Sequence, residues 1–598
     1  MAIPNRNEVP EELKWDLTRI FKNDEEWEQA YAAAQEKIDQ LGELKGTLAK
    51  SGKDLYEGLT KILAVKREVE NIYVYATMSS DVDTANSHYL GYVSRVQSLA
   101  NQFEAATSFI NPEILSIPSD KLAEFKQAEP RLKNYAHYLE MITNKRPHTL
   151  PAEQEKLIAD AGDALGVSEN TFNVLTNSDM EYGYVQDDDG NMEQLSDGLY
   201  SLLIQSQNRD VRKGAFDTLY ATYSQFQNSL ASTLSGVVKK HNYNAKAHKY
   251  DSARQAALAE NGIPEAVYDT LIQEVDSHLD LLHRYVALRK EILGLKDLQM
   301  WDMYVPLTGK PSLSYNFEEA KEVAKKALKP LGEDYLKHVD YIFNNRVIDP
   351  VESKNKVTGA YSGGAYDTDP YELLNWEDNI DSLYTLVHET GHSVHSWYTR
   401  NTQPYVYGDY PIFVAEIAST TNENILTEYF LDHITDPKTR AFILNYYLDS
   451  FKGTLFRQTQ FAVFEQFLHE ADAKGEPLTA DTLDDVYGQI NQHYYGDSVE
   501  PGGDIALEWS RIPHFYYNFY VYQYATGFAA ATALANKVVH GTPAERDAYL
   551  GFLKAGSSDY PTEIMKRAGV DMTKPDYLED AFKTFEKRLN EFESLIEK

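Results

Sequence analysis

With 598 residues, 42% of them hydrophobic and 12% aromatic, the chain exceeds what one ordinary core holds and calls for two or more lobes. It has no cysteine, which excludes disulfides, thiol catalysis and thiolate metal sites together. A formal net charge of -35 repels nucleic acid and anionic lipid, so neither nucleic acid nor membrane is expected as a partner.

The opening residues Met1-Ala-Ile-Pro-Asn-Arg6 lead straight into charged sequence with no apolar h-region. No apolar run approaches the roughly 18 residues of a membrane span, so a cytoplasmic protein is expected. Asp24 to Leu41 carries apolar or small side chains at helical spacing (Trp27, Ala30, Tyr31, Ala34, Ile38, Leu41) and predicts an amphipathic helix. The same periodicity predicts helices over Lys53–Ser79, Ser87–Ser108, Ser119–Ala128, Leu132–Asn144 and Ala152–Ala164. The segment Val185-Gln-Asp-Asp-Asp-Gly-Asn191 then predicts a β-hairpin around an Asp-Gly turn. These features give an N-terminal helical lobe over residues 1–195, ending in the hairpin, and a second domain over 196–598. Residues Lys356 to Trp376 form a strand-like island, with Gly359-Ala-Tyr-Ser-Gly-Gly-Ala-Tyr366 followed by Tyr371-Glu-Leu-Leu-Asn-Trp376. It stands immediately before the most informative helix.

That helix contains Asp381-Ser-Leu-Tyr-Thr-Leu-Val-His388-Glu-Thr-Gly-His392-Ser-Val-His395. Residues four apart lie one above the other on a helix, so His388 and His392 can direct imidazole nitrogens at one zinc ion. Glu389, one residue round, can reach a water on the metal without binding the metal itself. Leu383, Val387 and Trp397 are expected to seat the helix in the interior. A catalytic zinc takes a third protein ligand and keeps one position open. The candidate is Glu416, flanked by Phe413, Val414, Ala415, Ile417 and Ala418. A carboxylate in such apolar company is costly unless it meets a cation. His395 is the rival, but it lies about 10 Å along the same helix axis from His388 and is expected beyond the ligands or facing substrate. Glu423, two turns after Glu416, is expected to orient a metal-bound imidazole.

At these residues the chain resembles the oligoendopeptidase F members of the thimet-oligopeptidase-like zinc peptidases. The resemblance includes Glu12-Leu-Lys-Trp-Asp-Leu17, Gly359 to Asp367, Asp381 to Ser396, Tyr405-Val-Tyr-Gly-Asp-Tyr-Pro411 and Val414 to Glu423. It continues through Arg511 to Gly527 and Gly556-Ser-Ser-Asp-Tyr-Pro561, so it covers essentially the whole chain. It implies a mainly α fold: a two-lobed helical ellipsoid with a deep central channel, a zincin-like active-site helix and a small β-sheet beside it. It also implies one Zn2+ per chain with Glu416 as third ligand, and short oligopeptide substrates. In relatives a histidine and tyrosines of a flexible segment touch substrate or the developing oxyanion. The matching stretch gives His514, with Tyr517 and Tyr524 as candidate catalytic groups and Tyr520 as a candidate substrate contact. Its spacing departs from the thimet branch, so the choice among the tyrosines stays open.

The reaction expected is zinc-assisted hydrolysis of internal peptide bonds, with Glu389 as general base and then acid. The Gly359 to Tyr366 strand is expected to pair with extended substrate backbone through Gly363, Gly364, Ala365 and Tyr366. A peptide-binding protein with a structural zinc would have no need of Glu389, and a helical scaffold would need no metal at all.

Overall fold

Helices start where a side chain can take up the free N–H groups of a first turn. Asn23 accepts from Glu26 N–H and opens α1, Asp24–Leu41, which buries Trp27, Ala34, Ile38 and Leu41 along one face. Ser51 does the same for α2, Gly52–Asp81, and Asn86 for α3, Ser87–Thr107. Trp27 ties the three together: its ring stacks on Tyr92 with centroids 3.7 Å apart, and its indole N–H donates to Ile72 O at 2.9 Å. A computed structural model describes residues 3–309, 313–500 and 502–596, and they are mainly helical.

Two expected helices take a different form. The stretch from Leu132 begins as 3-10 turns over Pro130–Tyr135, and only Ala136–Thr143 is α-helical. The helix expected over Ala152–Ala164 is two, Ala152–Asp160 and Gly162–Val174, broken where the poor helix former Gly162 lets the chain bend. No described helix is long and apolar enough to cross a membrane.

The chain packs as two compact units. The first takes residues up to Pro147, Leu313–Tyr429 and Leu534–Gly569; the second takes the stretch from His148, then Phe430–Ala533, then the chain from Val570. This partition differs from a single division after residue 195. The hairpin lies in the second unit, with β1 (Tyr184–Gln186) antiparallel to β2 (Met192–Gln194). Its connection is a five-residue loop in which Gly190 takes φ +86° and Asp187 Oδ1 accepts from the Asp189 and Asn191 N–H groups.

In the first unit, β3 (Ile348–Asp349), β4 (Tyr361–Gly363) and β5 (Tyr371–Leu373) form a sheet of order β3-β5-β4. The β3–β5 pair is parallel and the β4–β5 pair antiparallel, with Ser362 opposite Glu372. Asp349 is fully buried in β3, and its charge is met by Lys356 at 2.9 Å and by the Arg6 guanidinium. The buried central strand β5 leads directly into α4, Ile380–Thr402, the helix that carries the histidine pair.

Candidate metal centre

Asn379 caps α4 through its side chain on Ser382 N–H, and Leu383, Val387 and Val394 sink one face of the helix into the first unit. Trp397 is only half-buried, with its ring stacked on His338. The neighbouring helix α5, Ile412–His433, crosses α4 at Gly391. A Cβ on Gly391 would stand 2.6 Å from Ser419 Cα, so only glycine lets the two backbones meet there. Asn422 fastens the crossing: its amide N–H donates to Val387 O at 2.9 Å and its carbonyl accepts from the Tyr335 hydroxyl at 3.1 Å. Neither Gly391 nor Asn422 stood out in the sequence, although a glycine inside a helical pattern is the signal for such close approach.

The crossing delivers one carboxylate to two imidazoles. Glu416 Oε2 lies 3.2 Å from His388 Nε2 and 3.3 Å from His392 Nε2. One ligand atom from each of the three residues lies within 4.8 Å of the other two. Glu416 differs from expectation in its surroundings. Phe413, Val414, Ile417 and Ala418 do face the core, but the Glu416 side chain is 48% exposed and turns to the open side of α5. Its side chain is poised by the helix and is not enclosed in apolar surroundings.

Glu423, two turns on, accepts from His388 Nδ1 at 2.6 Å. That bond fixes the ring and leaves the Nε2 lone pair directed at the shared point, the arrangement a histidine ligand needs. Glu389 is 7% exposed. Burial, with the like charge of Glu416 adding to it, pushes its carboxyl above the usual range, while the two imidazoles and the Ser362 backbone N–H act the other way. Behind it, Glu372 of β5 is fully buried; burial, with the nearby Glu389 adding to it, pushes its carboxyl up to about 8, against the pull of the Ser393 and Thr390 hydroxyls. Glu372 has no sequence signature beyond its place in a short strand.

Two imidazoles and a carboxylate at one point, with two more glutamates around them, form a donor set with surplus negative charge that fits a divalent metal ion. His395 stays outside this set. It is fully buried, its ring stacked on Tyr410 with centroids 3.8 Å apart, and neither of its nitrogens has a hydrogen-bond partner among the described residues.

Beside the metal group, β4 pairs with β5 alone among the described strands and so forms an edge of the sheet. Gly363 lies in that edge. Gly364 takes φ +151°, and a Cβ there would meet Asp369 O at 2.6 Å, so its glycine is required by the fold itself. Ala365 N–H is taken by Thr368 Oγ1, and the Tyr366 hydroxyl by Gln403 O. His514, Tyr517, Tyr520 and Tyr524 belong to the second unit, where the three tyrosine rings lie with centroids 5.6 to 6.1 Å from that of His514. Burial lowers the pKa of His514 from its ordinary value.

Known proteins resemble the chain over its whole length. A model described as Peptidase family M3 matches residues 202–584, and one described as Oligopeptidase F matches residues 113–182. Oligopeptidase PepF of Bacillus subtilis (strain 168) is 50% identical over 597 residues, covering 100% of this chain and 89% of its own. The plasmid oligoendopeptidase F of Lactococcus lactis subsp. cremoris is 49% identical over 595 residues, covering 99% of each. The crystal structure of oligoendopeptidase-F from Enterococcus faecium shares the fold with a TM-score of 0.75 at 45% identity, over 96% of this chain and 99% of that one. The chain belongs to peptidase family M3, among the metalloendopeptidases of the oligoendopeptidase F type.

Proposed function

We propose that the protein hydrolyses internal peptide bonds of short oligopeptides in the cytoplasm, with one zinc ion held by His388, His392 and Glu416. The observation that carries this reading is the convergence of both Nε2 atoms on one Glu416 oxygen, with the buried Glu389 in the next position of the same helix. When bound, zinc supplies Lewis acidity toward the scissile carbonyl and makes water nucleophilic near neutral pH. Glu389 takes the proton of the attacking water and returns it to the leaving amine nitrogen. Its burial favours that exchange, because a carboxylate with a raised pKa holds a proton more readily. His514 and a tyrosine among Tyr517, Tyr520 and Tyr524 donate to the developing oxyanion or to substrate, a role supported by the family resemblance and by the clustering of the four rings.

Substrate backbone lies extended along the free edge of β4, a mode that reads length and flexibility more than side chain. Gly363, Gly364, Ala365 and Tyr366 mark that end of the site. The family resemblance supports short, flexible chains as the substrates.

Quenched fluorescent peptides of one scissile sequence, padded to increasing length, test the proposal with and without a chelator and beside Glu389→Gln. Cleavage should stop on chelation, fall by about two to four decades in the metal-loaded variant, and decline sharply with length. Chelator-resistant turnover would remove the metal from the reading, and rapid digestion of reduced casein would remove the oligopeptide limit.

A further inference from the structure

Five described non-glycine residues have left-handed backbone, and only two of them are adjacent: Asn518 at φ +49° and Phe519 at φ +59°. Asparagine accepts this region readily, whereas a bulky aromatic does so only when its surroundings impose it. The pair sits between the turn Pro513–Tyr516 and α6, Tyr522–His540. The turn has a consequence for the side chains around it. Phe515, Tyr516, Phe519, Val521 and Tyr522 are buried, while Tyr517 is exposed and His514, Tyr520 and Tyr524 are half-buried. The anchored rings point one way and the four-ring cluster the other.

Three contacts hold Phe519 in its conformation. Its side chain packs against His469 (centroids 4.5 Å apart) and edge-on against Tyr268 (5.8 Å). Its backbone N–H donates to Glu465 Oε1 at 2.6 Å. Glu465 stands on the helix Arg457–Ala473 and is fully buried, with no hydrogen-bond partner for its second oxygen among the described residues. Burial pushes its carboxyl up to about 8. A buried carboxyl is expensive, and its one bond goes to the most strained residue of the turn.

We propose that Glu465 is a positioning residue for peptide hydrolysis: it holds the left-handed turn at Phe519 and thereby sets Tyr517, Tyr520 and Tyr524 around His514. This rests on the reading above that those rings act on substrate or on the developing oxyanion. Glu465 itself touches neither, so its effect passes through the turn. A merely structural glutamate would alter stability and leave the balance of kcat and KM untouched.

The test uses the full-length, metal-loaded enzyme on a quenched fluorescent peptide. Glu465→Ala should lower kcat by about ten- to a hundredfold with KM within about threefold, because the rings matter most in the transition state. Glu465→Gln keeps an amide oxygen in the place of Oε1 and should recover most of the loss. Unchanged kcat in the alanine variant overturns the proposal, as does a glutamine variant as poor as alanine. His514→Ala and Tyr520→Phe run in parallel: if neither lowers kcat, the reading of the rings fails and the proposal falls with it. If they lower kcat and Glu465→Ala does not, the positioning role alone fails. Hydrogen exchange in the wild-type enzyme guards against a misfolded variant. The Phe519 amide should be strongly protected, and exchange at the rate of a free peptide overturns the proposal.

Discussion

Gly391 on α4 lies in direct contact with Ser419 on α5: a Cβ at Gly391 would stand 2.6 Å from Ser419 Cα and 2.9 Å from Ala418 O. The contact falls between His388 and His392 on one helix and one turn beyond Glu416 on the other. Helix separation at this point therefore sets the distance at which the third carboxylate meets the two imidazoles. Gly391→Ala should push the helices apart, destabilise the fold by about 1–3 kcal/mol and weaken metal retention. Melting temperature and metal content after dialysis against a weak chelator measure both effects; a variant with wild-type retention would show that the crossing does not govern the site.

Glu416→Ala should lose metal readily, since it removes one of three converging donors. His395→Phe should keep it, because His395 is packed as an aromatic ring against Tyr410 and makes no hydrogen bond among the described residues. Metal analysis of the two purified variants decides the matter; the reverse pattern would exchange the two residues' roles.

Glu423→Gln should lower metal affinity by about ten- to a hundredfold while leaving the three donors in place. The substitution exchanges the carboxylate that fixes His388 Nδ1 for a neutral amide. Competition with a fluorescent zinc chelator reads the change, and an unaltered affinity would make Glu423 a bystander.

Glu372 gives a pH signature. Its folded pKa, about 8, stands above the ordinary 4.5, so the folded state holds a proton that the unfolded chain has already released. Stability contributed by the neutral acid is whole below about pH 4.5 and is lost as pH rises to about 8, by at most about 5 kcal/mol. Glu372→Gln removes that loss. Its melting temperature relative to wild type should therefore climb between pH 5 and pH 8, and parallel curves would show that Glu372 is ionised in the folded protein.

Periodicity made the long helices legible: α1 runs over the expected Asp24–Leu41, and Ser119–Ala128 likewise. The histidine pair was legible for the same reason, because ligand spacing on a helix is local. What escaped depends on distant partners. β3 is two residues long and exists through parallel pairing with β5 and the buried Asp349–Lys356 pair, none of which leaves a local pattern. Glu465 and Phe519 are 54 positions apart, and Glu416 looked buried because its sequence neighbours are apolar while the helix turns it away from them.

The three-stretch construction of each compact unit bears on how the protein is made. The chain passes from one unit to the other after residues 147, 312, 429, 533 and 569. On the ribosome, the helices around Trp27 can settle early, since the buried residues of their core cluster all fall within the first 147 residues. The stretch of the same unit that carries the histidine pair, Leu313–Tyr429, cannot meet Leu534–Gly569 until residues 430–533 have been made, so its apolar faces wait exposed over that interval. Truncated nascent chains should therefore occupy chaperones heavily: a contiguous fragment that spans the first unit must run to residue 569, and one that spans the second must start by residue 148 and run past residue 570.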